Sequence, residues 1–179
     1  MTNDPPFFLT TQRLRFRAWT PDDLPLAMAL WTDADVMRYM GGPRTAEQAE
    51  QRLQDEMLTL RDSGVQYWPM FSVETGEHAG CAGLRPFHGS TEVLELGVHT
   101  ARPFWSGRYG EEAARAMIAY AWQHTGAKAL VAGHFPENVN SRALIGRLGF
   151  VYTHHEPWGP LNSLHPYYRL DRLPLRQQP

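Results

Sequence analysis

Hydrophobic and polar positions alternate with period two near the start of the chain. Leu14, Phe16 and Ala18 fall on one face and Arg13, Arg15 and Arg17 on the other, which predicts a half-buried strand. Thr20-Pro21-Asp22-Asp23 reads as a helix start, with proline in the first turn and acids at the positive end of the dipole. Leu24, Ala27, Met28 and Trp31 follow at helical spacing. Gly41-Gly42-Pro43 breaks the chain, Thr45 is placed to cap a second helix with Ala49, Leu53, Met57 and Leu60 on its buried stripe, and Gly64 ends it. Residues 67–73 and 78–84 read as a hairpin around Glu74-Thr75-Gly76-Glu77. Residues 93–100 form a further strand, with Leu94, Leu96 and Val98 on one face and Glu95, Gly97 and His99 on the other. Ala113/Ala114, Met117/Ile118 and Ala121/Trp122 mark the core face of a helix over 111–125, stopped by Gly126. A strand at 129–135, a short helix at 140–148 and strands at 150–154 and 166–170 complete the pattern. The last two are separated by a long loop over 155–165 that holds Pro157, Trp158, Gly159 and Pro160. This order predicts a mixed α/β (α+β) domain with a largely antiparallel sheet.

The chain has 179 residues, 42% apolar and 20% charged, without repeats or a linker. That is globular composition and the size of one core, expected over residues 8–173 with short tails at 1–7 and 174–179. The net charge of −2 argues against nucleic acid as a partner, and no apolar run is long enough to span a membrane. The first residues lack the pattern of a signal peptide. Cys81 is the only cysteine, so no internal disulfide can form and a cytoplasmic location is expected. It sits mid-strand among small residues and reads as core rather than as a nucleophile. Charge is unevenly placed: residues 1–100 carry 8 basic and 14 acidic side chains (−6), residues 101–150 carry 6 and 3 (+3), and the remainder 3 and 2 (+1).

The positive segment coincides with a suggestive turn. A strand ending near Thr100 leads through Trp105-Ser106-Gly107-Arg108-Tyr109-Gly110 into Glu111-Glu112-Ala113 at a helix start. Small residues admit close approach, and the first amides of a helix have no internal partners, so the arrangement suits a pyrophosphate. It is neither a Walker loop nor a dinucleotide fingerprint, and an ordinary strand-to-helix turn would look the same. In residues 138–150, Asn140 or Ser141 can cap the short helix and Gly149 can close it. His154, His155 and His165 could meet across the last hairpin, but they lack regular ligand spacing and a cysteine pair, so no metal is expected.

Together these stretches resemble the GNAT superfamily of N-acetyltransferases, and more closely its RimJ/RimL-like branch of ribosomal-protein N-terminal acetyltransferases. Thr10-Thr11-Gln12-Arg13-Leu14-Arg15 is similar to the branch's first strand, and Gly80-Cys81-Ala82-Gly83-Leu84 to its small-residue strand. Leu96-Gly97-Val98, Phe104-Trp105 and Glu112-Ala113 match its acetyl-CoA loop region. Asn138, Ser141, Leu148, Gly149 and Phe150 match its Asn-x-x-Ser and Leu-Gly-Phe signature. The likeness runs over residues 10–170 in order. The family loop reads Arg/Gln-x-x-Gly-x-Gly/Ala; here Trp105 holds the first place and Arg108 the fourth.

The resemblance implies a GNAT fold: a mixed, mostly antiparallel sheet of about seven strands flanked by about four helices, with two splayed strands holding acetyl-CoA. It also implies direct transfer of an acetyl group from acetyl-CoA to a primary amine, on a protein N-terminus or a small molecule. Pantetheine would bind backbone near Val98, His99 and Thr100. The phosphates would lie on Ser106, Gly107, Arg108, Tyr109, Gly110 and Glu111, and Asn138 and Ser141 would complete the cofactor contacts. One amide near Val98 would polarise the thioester carbonyl. Glu95 is the first candidate for the base that takes the amine's proton, with a solvated outward carboxylate as its other reading; Glu92 and His99 are weaker candidates. Ser141 is expected to protonate the departing thiolate unless it is only a helix residue, and Tyr152 ranks below it. Residues 31–42, 67–68 and 155–165, rich in aromatics, are expected to wall the acceptor site. The acidic first hundred residues favour a cationic or amphipathic acceptor. A non-catalytic acyl-CoA-binding module of the same fold is the alternative, and monomer and homodimer stay open.

Overall fold

The computed structural model describes residues 5–159 and 163–173. The arginine-rich alternation folds as two short antiparallel strands, β1 (Leu9–Thr10) and β2 (Leu14–Phe16), with Leu14 and Phe16 fully buried. A 3-10 turn at Pro21–Asp23 precedes α1 (Leu24–Trp31). Thr45 caps α2 (Ala46–Ser63) in a reciprocal box with Gln48, and Gly64, at φ 73°, ends it. Then come β3 (Tyr67–Ser72), β4 (His78–Phe87), β5 (Ser90–Thr100), α3 (Tyr109–His124), β6 (Ala129–Gly133), α4 (Val139–Arg147), β7 (Val151–Trp158) and β8 (Ser163–Asp171). The expected order of elements holds, with β1 as an additional short strand.

One sheet runs in the order β1-β2-β3-β4-β5-β6-β8-β7, antiparallel everywhere except between β5 and β6. One face carries α3 and α4 over Leu14, Phe16, Trp68, Leu84, Leu94 and Leu96. The other carries α1 and α2 over Tyr67 and Cys81, with Trp31 of α1 in the same buried cluster. Among the described residues no helix is long and apolar enough to cross a membrane.

Several boundaries differ from expectation for identifiable reasons. The β4–β5 hairpin closes through His88 and Gly89, both at positive φ, which is the geometry a two-residue hairpin turn needs. The last hairpin extends to Trp158 and Ser163, so the expected loop over 155–165 is mostly strand. Pro157 is tolerated because β7 is the sheet's edge. α3 starts at Tyr109 rather than 111, with Arg108 in the left-handed conformation before it, and ends on Thr125 rather than Gly126. The cap of α4 is Asn138, not Asn140 or Ser141: its Oδ1 accepts from the Ser141 amide at 3.0 Å.

Candidate active site

The sheet forks between β5 and β6. They pair only at Val93–Ala129, Leu94–Leu130 and Glu95–Val131; beyond that β5 keeps β4 and β6 keeps β8. The Ala101 amide donates to the Ala79 carbonyl (2.9 Å), and that phase recurs every second residue of an antiparallel ladder. His99 and Gly97 thus turn their backbone groups to β4, while Thr100, Val98 and Leu96 turn theirs into the fork. Thr100's carbonyl is taken by the Trp105 indole at 2.8 Å. Leu96 and Val98 are left as a strand edge, which is what an extended amide-bearing arm would pair with.

The loop that follows β5 closes over its end. A Cβ on Gly110 would lie 3.1 Å from Thr100 Oγ1 and 3.7 Å from Val98 Cγ1, so the first turn of α3 sits directly on these two residues. Gly107 (φ 76°) and Arg108 (φ 60°) turn the chain into the helix. Arg108 therefore keeps the backbone conformation that favours glycine at this place of the family loop. The loop is held from outside: Arg13 donates to Glu112 Oε2 (2.6 Å) and to the Gly107 carbonyl (2.8 Å), and its guanidinium lies 4.2 Å from the centre of the Tyr109 ring. Glu112 also accepts from the Thr11 hydroxyl (2.6 Å) and the Arg13 amide (2.8 Å). Burial pushes its carboxyl up, but these hydrogen bonds outweigh it and hold it below the usual range. Glu111 is committed elsewhere, its carboxylate to Arg115 and Arg147 (both 2.8 Å) and its amide to the Arg108 carbonyl (3.1 Å). Ser106 lies exposed on the same loop.

Glu95 stands at the fork itself, on the α1/α2 face. Two tyrosines flank it, each seated on a glycine of a splayed strand. A Cβ on Gly97 would lie 2.3 Å from Tyr67 Cζ, and one on Gly133 would lie 2.8 Å from Tyr167 Cζ. The Tyr167 phenol lies beside Glu95, close enough for the carboxylate charge to act on it. Burial raises the Glu95 carboxyl above the usual range, with Glu156 adding to this and Arg85 and Arg52 opposing. Burial, then the nearby Glu95 charge, raises both tyrosines, so both are neutral donors at physiological pH.

The other expected residues are distributed as follows. His99 is buried, accepts from the Trp31 indole at 3.3 Å and is pushed down to about 3, chiefly by burial and then by Arg52, Arg85 and Arg44. It is a neutral packing group and a poor base. Glu92 is exposed at the far end of β5 and pairs with Lys128 at 2.6 Å. Asn138 and Ser141 open α4, the helix that follows the other splayed strand, and Asn138 spends its carbonyl oxygen on the cap. Tyr152 lies on the edge strand with its hydroxyl 2.8 Å from His155 Nδ1. Cys81 is fully buried and pushed up to about 12, first by burial and then by Glu56, consistent with core rather than with a nucleophile.

Of the expected acceptor wall, Tyr39 stacks on Phe135, Phe135 meets His165 edge-on, and His165 stacks on Trp158. That chain of rings joins residues 31–42 to 155–165 across the ends of β6 and β8. Trp68 does not belong to it. Adjacent strand residues point to opposite faces, and Trp68 packs with Phe8 and Tyr120 on the α3 side. His154 pairs with Glu156 (3.2 Å), and among the described residues no group of three His, Cys, Asp or Glu is arranged to hold a metal ion. Four participants escaped the sequence reading: Tyr167, Arg52, Glu56 and Arg85. Glu56 carried a readable signal, since it follows Ala49 and Leu53 on the buried stripe of α2 and is fully buried.

A forked mixed sheet with a glycine-bearing turn opening a helix from one splayed strand is the architecture of an acyl-CoA-dependent transferase. Residues 13–151 match the acetyltransferase (GNAT) domain family, and the chain belongs to it. It is 29% identical over 147 residues to the uncharacterized protein YkkB of Bacillus subtilis (strain 168), covering 81% of this chain and 86% of the relative. Its fold is similar to that of the acetyltransferase from Agrobacterium tumefaciens strain C58, with TM-score 0.77, 24% identity and coverage of 96% and 98% of the two chains. It is likewise similar to RimL, the ribosomal L7/L12 alpha-N-protein acetyltransferase, in complex with Coenzyme A, with TM-score 0.78, 14% identity and coverage of 93% and 98%.

Proposed function

We propose that this GNAT acetyltransferase moves an acetyl group from acetyl-CoA to a primary amine within a ternary complex, using residues 8–173 as one domain. The observation that carries the reading is the fork: an unpaired backbone edge at Leu96 and Val98, with Glu95 at its base and a helix start on each splayed strand. The residues fit acetyl-CoA. Leu96 and Val98 offer amides and carbonyls to the pantetheine arm, and the turn from Gly107 to Gly110, with the Arg108 guanidinium, faces the phosphates. RimL, of similar fold, was solved with Coenzyme A. When bound, acetyl-CoA supplies the thioester carbon that the amine attacks.

The chain's own residues supply the rest. Glu95 takes a proton from the acceptor ammonium, directly or through water, so that the nitrogen lone pair is free. The Tyr167 phenol lies beside the Glu95 carboxylate and serves as a donor to it when the acceptor is bound. The Val98 amide donates to the thioester oxygen; as the C–N bond forms and the C–S bond breaks, the Ser141 hydroxyl gives a proton to the leaving sulfur and regains one from the attached nitrogen through water. The lone buried Cys81 suits a reducing cytoplasm. The RimJ/RimL-like branch is the nearest reading of the motifs.

Acetyl-CoA at 100 times its Kd should stabilise the fold by about 2.7 kcal/mol, seen as a thermal shift. Release of CoA thiol with an amine panel should exceed the rate without acceptor, and Glu95→Gln and Ser141→Ala should each lower it while binding persists. Binding without turnover on any amine would favour the non-catalytic module. No shift would overturn both readings.

A further inference from the structure

Between α2 and β4 lies a cleft of about 630 Å³ whose inner wall is formed by Arg44, Arg52 and Arg85. One carboxylate, Glu56, is buried among them. Its Oε1 is shared by Arg52 Nε (2.8 Å) and Arg85 Nη2, and its Oε2 accepts from the Tyr67 amide (2.9 Å). Arg44 has no carboxylate within ion-pairing distance among the described residues. The Nε atoms of Arg44 and Arg85 are buried without a hydrogen-bond partner. Burial, and then the charges of Arg52 and Arg85, lower the Arg44 guanidinium, with Asp55 offsetting this in part. Of the rim acids, Asp62 is paired with Arg61 (2.7 Å), while Asp55 accepts from the neutral Gln51 amide (2.9 Å) and keeps its charge at the cleft's edge. Three guanidiniums facing one satisfied carboxylate in a recess is unfavourable by itself and favours an incoming anion.

The cleft adjoins the fork. Arg85 is the direct cross-strand neighbour of Glu95, and its guanidinium lies 4.4 Å from the centre of the Tyr67 ring that covers Gly97. The −6 balance of the first hundred residues predicted a cationic acceptor; in the cleft this half places three arginines on the inner wall and Asp55 and Asp62 on the rim.

We propose that the acceptor is a small amino-carboxylate, whose carboxylate docks on Arg44 and Arg85 while its amine reaches Glu95. Direct cross-strand neighbours have Cβ atoms about 5 Å apart, so Arg85 and Glu95 leave the same face of the sheet side by side. This rests on the acetyl-transfer reading and adds the substrate class to it.

The test compares the common amino acids with their C-terminal amides in the CoA-release assay, in wild type, Arg44→Gln and Arg44→Lys, each checked for an unchanged unfolding profile. In parallel, thermal shifts are measured with N-acetyl amino acids and N-acetyl amino acid amides. The expected result is a preference for acids over amides of about tenfold or more in kcat/KM, as one charged hydrogen bond would give. It should be carried mainly by KM, be lost in Arg44→Gln and be partly retained in Arg44→Lys. Equal use of acids and amides, or a preference untouched by Arg44→Gln, overturns the proposal and leaves acetyl transfer standing. If no amine is acetylated but N-acetyl acids, and not their amides, stabilise wild type and fail to stabilise Arg44→Gln, the anion site stands and acetyl transfer falls. If neither assay separates acids from amides, the proposal is overturned.

Discussion

The ring of Tyr67 occupies the space that a side chain on Gly97 would need, with Cζ and Oη both 2.3 Å from the position of a Cβ there. Gly97→Ala should therefore push the ring off the sheet and cost about 1–3 kcal/mol of stability, the usual range for overpacking a close-packed site. Since Tyr67 also flanks Glu95, turnover should fall with it. A double-mutant cycle with Tyr67→Ala checks the cause: the pair should destabilise by clearly less than the sum of the single changes.

Glu112 ties α3 to the first strands and, through Arg13, to the Gly107 carbonyl. Glu112→Ala takes an acceptor from the Thr11 hydroxyl, the Arg13 amide and the Arg13 guanidinium, at a cost of about 1–3 kcal/mol. Its looser loop should raise the KM for acetyl-CoA more than it lowers kcat. The Glu112 carboxyl sits below its unfolded value, so its contribution is present above an unfolded pKa of about 4.3 and disappears as pH falls through the folded value. Denaturation midpoints from pH 3 to 7 should show wild type and variant converging at the acid end.

How far the sequence could be read follows from which contacts are local. The stripe of α2, the Thr45 cap and the two faces of β5 depend on neighbours within a few positions, and periodicity shows them. Grouping Tyr67 and Trp68 by their aromatic character hides that strand alternation sends them to opposite faces. The final hairpin was shortened because Pro157 and Gly159 read as loop, while the edge position of β7 that accommodates a proline is a property of the whole sheet. Glu95 was legible as a charged residue between apolar ones. Tyr167, which lies beside it, arrives from β8 through strand order alone, and Arg85 reaches Glu56 across 29 positions. Those partnerships leave no local trace.

Arg108 holds a left-handed backbone (φ 60°, ψ 32°) at the entrance to α3. That conformation costs a non-glycine residue on the order of 1 kcal/mol, partly offset by glycine's greater freedom in the unfolded chain. Arg108→Gly should therefore leave stability unchanged or raise it by up to about 1 kcal/mol, whereas Arg108→Ala, which keeps the strain, should show no gain. Both remove the guanidinium, so both should weaken acetyl-CoA binding and flatten its dependence on salt. Urea unfolding alongside calorimetric binding at two ionic strengths separates the backbone effect from the charge effect.

Glu95 provides the sharpest pH signature. Its carboxyl is raised, first by burial, so the form able to accept a proton is reached only above the ordinary carboxylate range. The acid limb of kcat/KM should lie correspondingly higher than about 4.3, the unperturbed value. Tyr167→Phe replaces the phenol beside Glu95 by an apolar ring, which disfavours the ionised form further, and the limb should move up. Glu95→Gln should abolish the limb and lower kcat by roughly 100-fold to 10,000-fold, as loss of a general base does. Stability should behave differently. A carboxyl raised by folding contributes stability below its unfolded pKa and loses it as pH rises through the folded value, so at pH 7 the ionised group opposes the fold. Glu95→Gln should then be at least as stable as wild type at pH 7 while nearly inactive. A variant that lost activity together with stability would point to a packing role for Glu95 and away from a catalytic one.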